Sequence, residues 1–159
     1  MQNDNHRSTK RKIVVVLLAY AVAMGLVEAA VVIYLRELYY PAGFFLKTAA
    51  DLQIIPWNIL RVEIWREIAT IIMLVAASSL AFNRLKEKIW AFIFAFSFWD
   101  AFYYLFLYIF LRWPPSLGTT DVYFLIPWPW IGPVWIPLLL FGVLGIISLR
   151  QILKSYESR

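Results

Sequence analysis

Acidic side chains interrupt three of the most apolar stretches of this chain, and these residues have the types that could support chemistry. A carboxylate at the centre of a lipid bilayer costs about 2.5–3.5 kcal/mol on insertion scales, so one that is retained there indicates a partner or a function. Such groups can bind a cation, hold a proton or act as general acids and bases. The three acids are Glu28, Glu67 and Asp100, in the apolar stretches 13–35, 60–82 and 89–111.

The positions of these acids along their stretches place them at a common level. An α-helix rises about 1.5 Å per residue, so Glu28 and Glu67 lie about 22 Å, and Asp100 about 16 Å, from the same side of the membrane. Three acids on three separate helices are therefore predicted to occupy one layer about 6 Å thick.

Helical periodicity extends these acids into polar faces, because residues four apart lie on the same side of a helix. Glu63 joins Glu67 in this way, and the same spacing adds two tyrosines to the face of Asp100. If the faces converge, they enclose a polar chamber with arginines within reach as counter-ions. We predict the ligand-binding or cation-binding carboxylates Glu28, Glu63, Glu67 and Asp100, supported by Arg36, Arg66, Tyr104 and Tyr108.

Each of these acids also has a structural interpretation. Acidic residues suit the solvated first turn of a helix, which would account for the two acids at the start of the second stretch. Glu28 could pair with Arg66 across two helices. Asp100 could be a tether between helices, hydrogen-bonded to a tyrosine or to Ser97.

Carboxylates that crowd together in a low-dielectric site cannot all stay ionised without positive charge, which an arginine, a proton or a bound cation can supply. Oxygen ligands favour Mg²⁺, Ca²⁺ or Mn²⁺ over zinc or copper, so an oxygen-ligated divalent cation is a candidate ligand. The chain has no cysteine, and its single histidine, His6, lies outside the apolar stretches. We therefore expect neither a haem nor an iron–sulfur cluster, and predict no other cofactor.

The composition determines which elements must hold these residues. Of the 159 residues, 62% are hydrophobic and 16% are charged, whereas soluble domains carry about 45–50% apolar and about 25% charged residues. This excludes an ordinary soluble fold, and a bilayer core about 30 Å thick needs about 20 apolar helical residues per crossing. We predict an all-α, integral membrane four-helix bundle without strands, a single transmembrane domain over residues 1–159 with spans at about 13–35, 60–82, 89–111 and 132–150.

The basic residues are unequally divided between the two sides of the predicted bundle. Ten of the 15 Lys and Arg residues fall on the side of the termini, and five on the other side. The positive-inside rule then predicts a multi-pass protein of the cell (inner) membrane with both termini in the cytoplasm. A cleavable signal peptide ending at residues 21–23 is the competing interpretation, although the apolar run continues beyond it. The ten are Arg7, Lys10, Arg11, Lys12, Arg84, Lys86, Lys88, Arg150, Lys154 and Arg159.

The two long connections, at about 37–59 and 112–132, are rich in aromatic residues and proline. Aromatic rings settle at the headgroup level, and proline restricts the backbone, so both connections are predicted to form an ordered cap on the outer surface. Asp121 could start a turn with the threonines before it or point inward to the chamber; we expect the turn.

Several segments carry a resemblance to known sequences. They are residues 99–104 (WDAFYY), 113–117 (WPPSL) and 124–133 (FLIPWPWIGP), with residues 28–41 and 63–73 similar as well. Together they make most of the chain resemble a family of small bacterial four-span membrane proteins with no assigned activity. The resemblance implies the four-span layout and implies nothing about chemistry.

These observations predict a polytopic membrane protein whose outward-facing carboxylate pocket binds a cation, a proton or a small cationic ligand, with transport as one use of such a pocket. Two other interpretations stay open: a non-catalytic subunit or assembly factor of a larger membrane complex, and a small lipid-modifying enzyme that uses paired carboxylates. The expected partners are the lipid bilayer and either further copies of the chain or a larger membrane complex. Nucleic acid is not expected, because the net charge of +5 follows from the bias in basic residues.

Overall fold

The computed structural model describes residues 2–154, with side chains from residue 9 onward. The side chain of Arg7 and the whole of Arg159, which contribute to the predicted orientation, lie outside this description. Four long helices make up most of the chain, and each is long and apolar enough to cross a membrane. They are α1 (Gln2–Tyr39), α2 (Trp57–Ala81), α3 (Leu85–Leu111) and α4 (Trp135–Lys154).

The four predicted spans correspond to these four helices, so the helical bundle is confirmed at that level. The observed helices α1, α2 and α3 begin before the predicted spans, because polar residues at their ends continue the helical hydrogen bonding. Helix α4 begins three residues later than predicted, at Trp135, because Trp130–Pro133 forms a strand instead. Pro137 lies in the first turn of α4, where its missing N–H leaves no helical hydrogen bond unmade.

Helix α3 is the central element, since its contacts with α1 and α4 are the most extensive in the bundle and it also packs against α2. Its contact with α1 is closest at Gly25, where a Cβ atom would lie 2.9 Å from the carbonyl oxygen of Trp99 and 3.1 Å from Cβ of Phe102. Only glycine permits the two backbones to approach so closely. The approach brings the α1 turn that carries Glu28 beside the α3 turn that carries Asp100.

The connection between α1 and α2 contains a short 3₁₀-helix, Ala49–Ile54. The backbone N–H groups of Lys47 and Thr48 both donate to Oδ2 of Asp51, at 2.8 Å each. These hydrogen bonds hold the pKa of the exposed Asp51 carboxyl below its usual range. They fix the start of the 3₁₀-helix, whose Leu52 is buried against the bundle.

The connection between α3 and α4 forms a two-stranded antiparallel ribbon, which the sequence analysis did not predict. Strand β1 (Thr120–Phe124) pairs with strand β2 (Trp130–Pro133), with Asp121 opposite Gly132. The prediction of a chain without strands was wrong because both segments are rich in β-branched and aromatic residues, which favour a pleated surface. The Tyr123 hydroxyl donates to the Pro133 carbonyl at 2.7 Å, and burial, reinforced by the nearby Asp121, raises the pKa of Tyr123 to about 12.

The glycine contact between α1 and α3 gives a direct test of the fold. In Gly25→Ala, the new methyl group meets backbone atoms that cannot move aside, so we expect a loss of about 1–3 kcal/mol in unfolding free energy. The thermal unfolding midpoint of the purified protein in mild detergent measures this loss.

Gly142→Ala in α4 is the matched control, because nothing lies within 4 Å of its Cβ position. Alanine is the better helix former by about 1 kcal/mol, so this variant should unfold at the wild-type temperature or above it. Equal midpoints for the two variants would contradict the close approach of α1 and α3.

Candidate functional site

A cavity of about 100 Å³, referred to below as the chamber, lies among α1, α2 and α3 and reaches both long connections. Its lining combines an apolar and aromatic wall with an unusual concentration of charge. The charged residues that line it are Glu28, Arg36, Glu63, Arg66, Glu67, Asp100 and Asp121. The four carboxylates predicted from the sequence therefore face one cavity.

Arg66 joins two of these carboxylates and two helices. Its Nη1 donates to Oε2 of Glu28 on α1, and its Nε donates to Oε2 of Glu63 at 2.8 Å. The Thr70 hydroxyl also lies 3.5 Å from the same oxygen of Glu28. The interpretation of Glu28 as an interhelical partner of Arg66 is confirmed, and one guanidinium serves two acids.

Glu63 and Glu67 do not belong to a solvated first turn, so that interpretation was wrong. Both side chains are buried, on the face of α2 that also buries Thr70 and Leu74. This face points to the chamber rather than to the surroundings because α1 and α3 pack against it. Because both carboxylates are buried, the groups that bond to each of them determine how far its charge is compensated.

Glu67 is held by the backbone of the connection between α3 and α4. The N–H of Leu125, the residue after β1, lies 3.0 Å from each carboxylate oxygen of Glu67. The bond satisfies a backbone donor that the ribbon leaves free, and it ties the ribbon to α2. A backbone amide offers a partial positive charge only, so the carboxylate of Glu67 keeps its formal charge when ionised.

Asp100 differs from the other acids because its carboxylate is not tied down. Asp100 is 8% exposed, and within the described residues its Oδ2 has no hydrogen-bond partner. Oδ2 of Asp121 also lacks one, but Oδ1 of Asp121 is bonded to Arg36. The Ser97 hydroxyl is also without a partner there, so the tether between Asp100 and Ser97 is not formed. A buried carboxylate oxygen that accepts no hydrogen bond costs free energy, so the hydrogen bonding of the chamber is incomplete at Asp100.

Arg36 lies at the other end of the chamber, next to two aromatic rings that contact each other edge to face. Its guanidinium carbon is 4.1 Å from the ring centre of Phe44 and 3.7 Å from that of Trp113. Nη2 of Arg36 donates to Oδ1 of Asp121 at 2.9 Å. This ion pair joins the end of α1 to the ribbon, and the aromatic rings add cation–π attraction. Within the described residues, Nε and Nη1 of Arg36 have no hydrogen-bond partner.

Asp121 was expected to start a turn, and that expectation was wrong. The residue lies in β1, is 1% exposed and points inward. Burial raises the pKa of its carboxyl, against the opposing effect of the Arg36 charge. The alternation of side chains along a strand turns this one residue of β1 toward the bundle.

One sequence signal could have identified this pair. Arg36 continues the face of Glu28 at the loop end of α1, and Asp121 is the sole acid between residues 112 and 133. A buried arginine needs an acid at its own level, and the connection opposite offers one candidate.

The two tyrosines predicted to support the site have different positions. Tyr104 is buried and lines the chamber beside Asp100. Tyr108 is 48% exposed and lines a separate groove with Leu138 of α4, so its assignment to the chamber was wrong. Eight residues of α-helix turn through about 80° beyond two full turns, which carries Tyr108 away from the direction of Asp100.

The charges of the chamber do not balance. Five carboxyl groups face two guanidinium groups, so three negative charges remain when all are ionised. Within the described residues, no group of three or more acids, histidines or cysteines is arranged to hold a metal ion. The chamber thus carries an excess of acidic groups, but the described side chains that line it do not converge on a point where they could hold a metal ion.

Comparisons with protein-family models, with curated proteins and with solved structures give no match for this chain. The resemblance to small bacterial four-span proteins therefore stays a prediction.

The ion pair of Arg36 and Asp121 can be tested by removing one charge or both. Arg36→Met leaves Asp121 buried without its partner, which should cost about 3–5 kcal/mol of stability. The double variant Arg36→Met, Asp121→Asn removes both charges and should recover part of this loss. Thermal unfolding in detergent gives both values.

The exposed Arg61 on α2 supplies the control, since Arg61→Met removes an arginine at the same end of the bundle without disturbing the chamber. It should leave the unfolding midpoint near that of the wild type. Asp121→Asn is measured alone as well. If the losses of Arg36→Met and Asp121→Asn simply add in the double variant, Arg36 and Asp121 do not interact as described.

Proposed function

We propose that this protein is a multi-pass membrane protein whose chamber binds a small organic cation, such as a primary ammonium group. The observation that carries the proposal is the buried, unpartnered Oδ2 of Asp100 at the wall of an acidic cavity. The other acids support it, because their interactions leave the negative charge of the chamber only partly compensated.

The hydrogen bonds assign the available positive charge. Arg66 is committed to two glutamates, and Arg36 to Asp121. Neither guanidinium is bonded to Asp100. A bound cation would supply the donor that Asp100 lacks and reduce the repulsion among the acids.

The lining favours an organic cation over a metal ion. A divalent metal needs several oxygen ligands converging on one point, and the described residues offer no such group. Trp99, Tyr103 and Tyr104 instead surround Asp100 with aromatic surface. An ammonium group beside aromatic rings gains cation–π attraction in addition to its ion pair.

The orientation predicted from the basic residues belongs to the same proposal. If the chain spans a bacterial-type inner membrane with both termini in the cytoplasm, the long connections and the chamber between them face outward. The bound cation would then enter from outside the cell, which is the arrangement expected of a receptor or an uptake protein.

This orientation can be tested by labelling single cysteines, since the chain has none of its own. Ala42→Cys, in the connection between α1 and α2, should react with a membrane-impermeant maleimide on intact cells. Asn83→Cys, between α2 and α3, should react only after the membrane is permeabilised. The wild type gives the background, and the reverse labelling pattern would invert the proposed topology.

Binding can be measured with ethylammonium on the purified protein by isothermal titration calorimetry. Asp100→Asn keeps the shape of the side chain and removes its charge. A charge-assisted hydrogen bond contributes about 1.5–3 kcal/mol, so we expect affinity to fall roughly 10-fold to 100-fold.

Glu87→Gln provides a control on the same helix. Glu87 pairs with Lys10 at the opposite end of the bundle, 2.7 Å away, so its loss should leave ethylammonium affinity unchanged. The proposal fails if the wild type binds neither ethylammonium nor guanidinium, if Mg²⁺ binds in their place, or if Asp100→Asn binds as the wild type does.

A further inference from the structure

An apolar groove of about 370 Å³ adjoins the chamber on the side of the two long connections. Leu52, Ile55 and Leu60 line both the chamber and this groove, so the two spaces share a wall of three side chains. Among the described residues, none that lines the groove is charged. An acidic cavity thus lies directly beside an apolar one, with these three side chains between them.

The groove lies where α2 begins. Trp57, the first residue of α2, lines it and is 65% exposed, and Pro129 of the ribbon connection closes its other side. Trp128 and Trp65 are exposed nearby along the chain. Tryptophans at the end of a membrane-spanning helix mark the headgroup level, so the groove lies close to that level.

We propose that the chamber and the apolar groove together bind one amphiphile, a hydrocarbon chain that carries a cationic amine. The ammonium lies beside Asp100, and the chain passes Leu52, Ile55 and Leu60 into the groove. Charge complementarity determines which end enters the chamber, because an anionic or neutral headgroup would leave the acids uncompensated. This inference rests on the proposed function and names its ligand class.

A second groove, between α3 and α4, is less suited to the chain. It shares one lining residue, Tyr104, with the chamber, whereas the first groove shares three. Its lining includes Leu117, which is 60% exposed. It therefore provides a control surface of similar size and apolar character.

A chain-length series tests the proposal. Ethyl-, butyl- and hexylammonium are titrated into the protein held in amphipol, with affinity referred to the free aqueous concentration. Each methylene that enters the groove should raise affinity about fourfold, the equivalent of 0.8 kcal/mol per buried methylene. Hexyl sulfate, with the same chain and a negative headgroup, should not bind.

Two variants locate the chain. Ala49→Trp places a bulky ring at an exposed position that lines the groove and not the chamber, so it should abolish the gain with chain length and leave ethylammonium affinity unchanged. Leu117→Trp fills the second groove and should leave the whole series unchanged.

The outcomes separate this inference from the proposed function. If ethylammonium binds but affinity does not rise with chain length, the amphiphile proposal is wrong and the cation site stands. A rising series that Ala49→Trp does not flatten places the chain elsewhere and also overturns it. If ethylammonium does not bind at all, the proposed function fails as well, and equal binding of hexyl sulfate removes the requirement for a cation.

Discussion

The bundle has to hold five carboxyl groups together inside apolar helices, and the way in which it does so determines much of its structure. Charges in a low-dielectric interior must be paired or hydrogen-bonded. Arg66 joins α1 to α2, Arg36 joins α1 to the ribbon, and Glu67 joins α2 to the backbone that follows β1. Each of these contacts connects segments that are distant in the sequence, so the polar interior fixes the arrangement of the apolar elements.

The long connections owe their order to the same contacts. The ribbon is only two strands wide, which is marginal for an isolated hairpin in water. The buried Asp121 and the N–H group of Leu125 anchor it to the helices through charged partners. On the other side, the 3₁₀-helix contributes Leu52 to the wall shared by the chamber and the apolar groove. The connections are therefore walls of the site as well as links between helices.

The spans and the common level of Glu28, Glu67 and Asp100 could be predicted because they depend on local properties, hydropathy and a rise per residue. The ribbon was missed although the residues of both strands favour a pleated surface. The inward turn of Asp121 was missed because its partner, Arg36, lies 85 residues away in the sequence, and only their common level points to the pair. Tyr108 was misplaced for a geometric reason: a four-residue repeat drifts around a helix with 3.6 residues per turn.

The glycine contact at Gly25 also constrains how this protein can change shape. Because the backbones of α1 and α3 approach so closely at this glycine, their relative movement there is restricted by steric contact. Helix α2 meets α1 mainly through side chains such as Arg66, whose bonds can lengthen or exchange. A widening that admits a guest between the acids therefore comes from a movement of α2 or of the long connections rather than from a separation of α1 and α3.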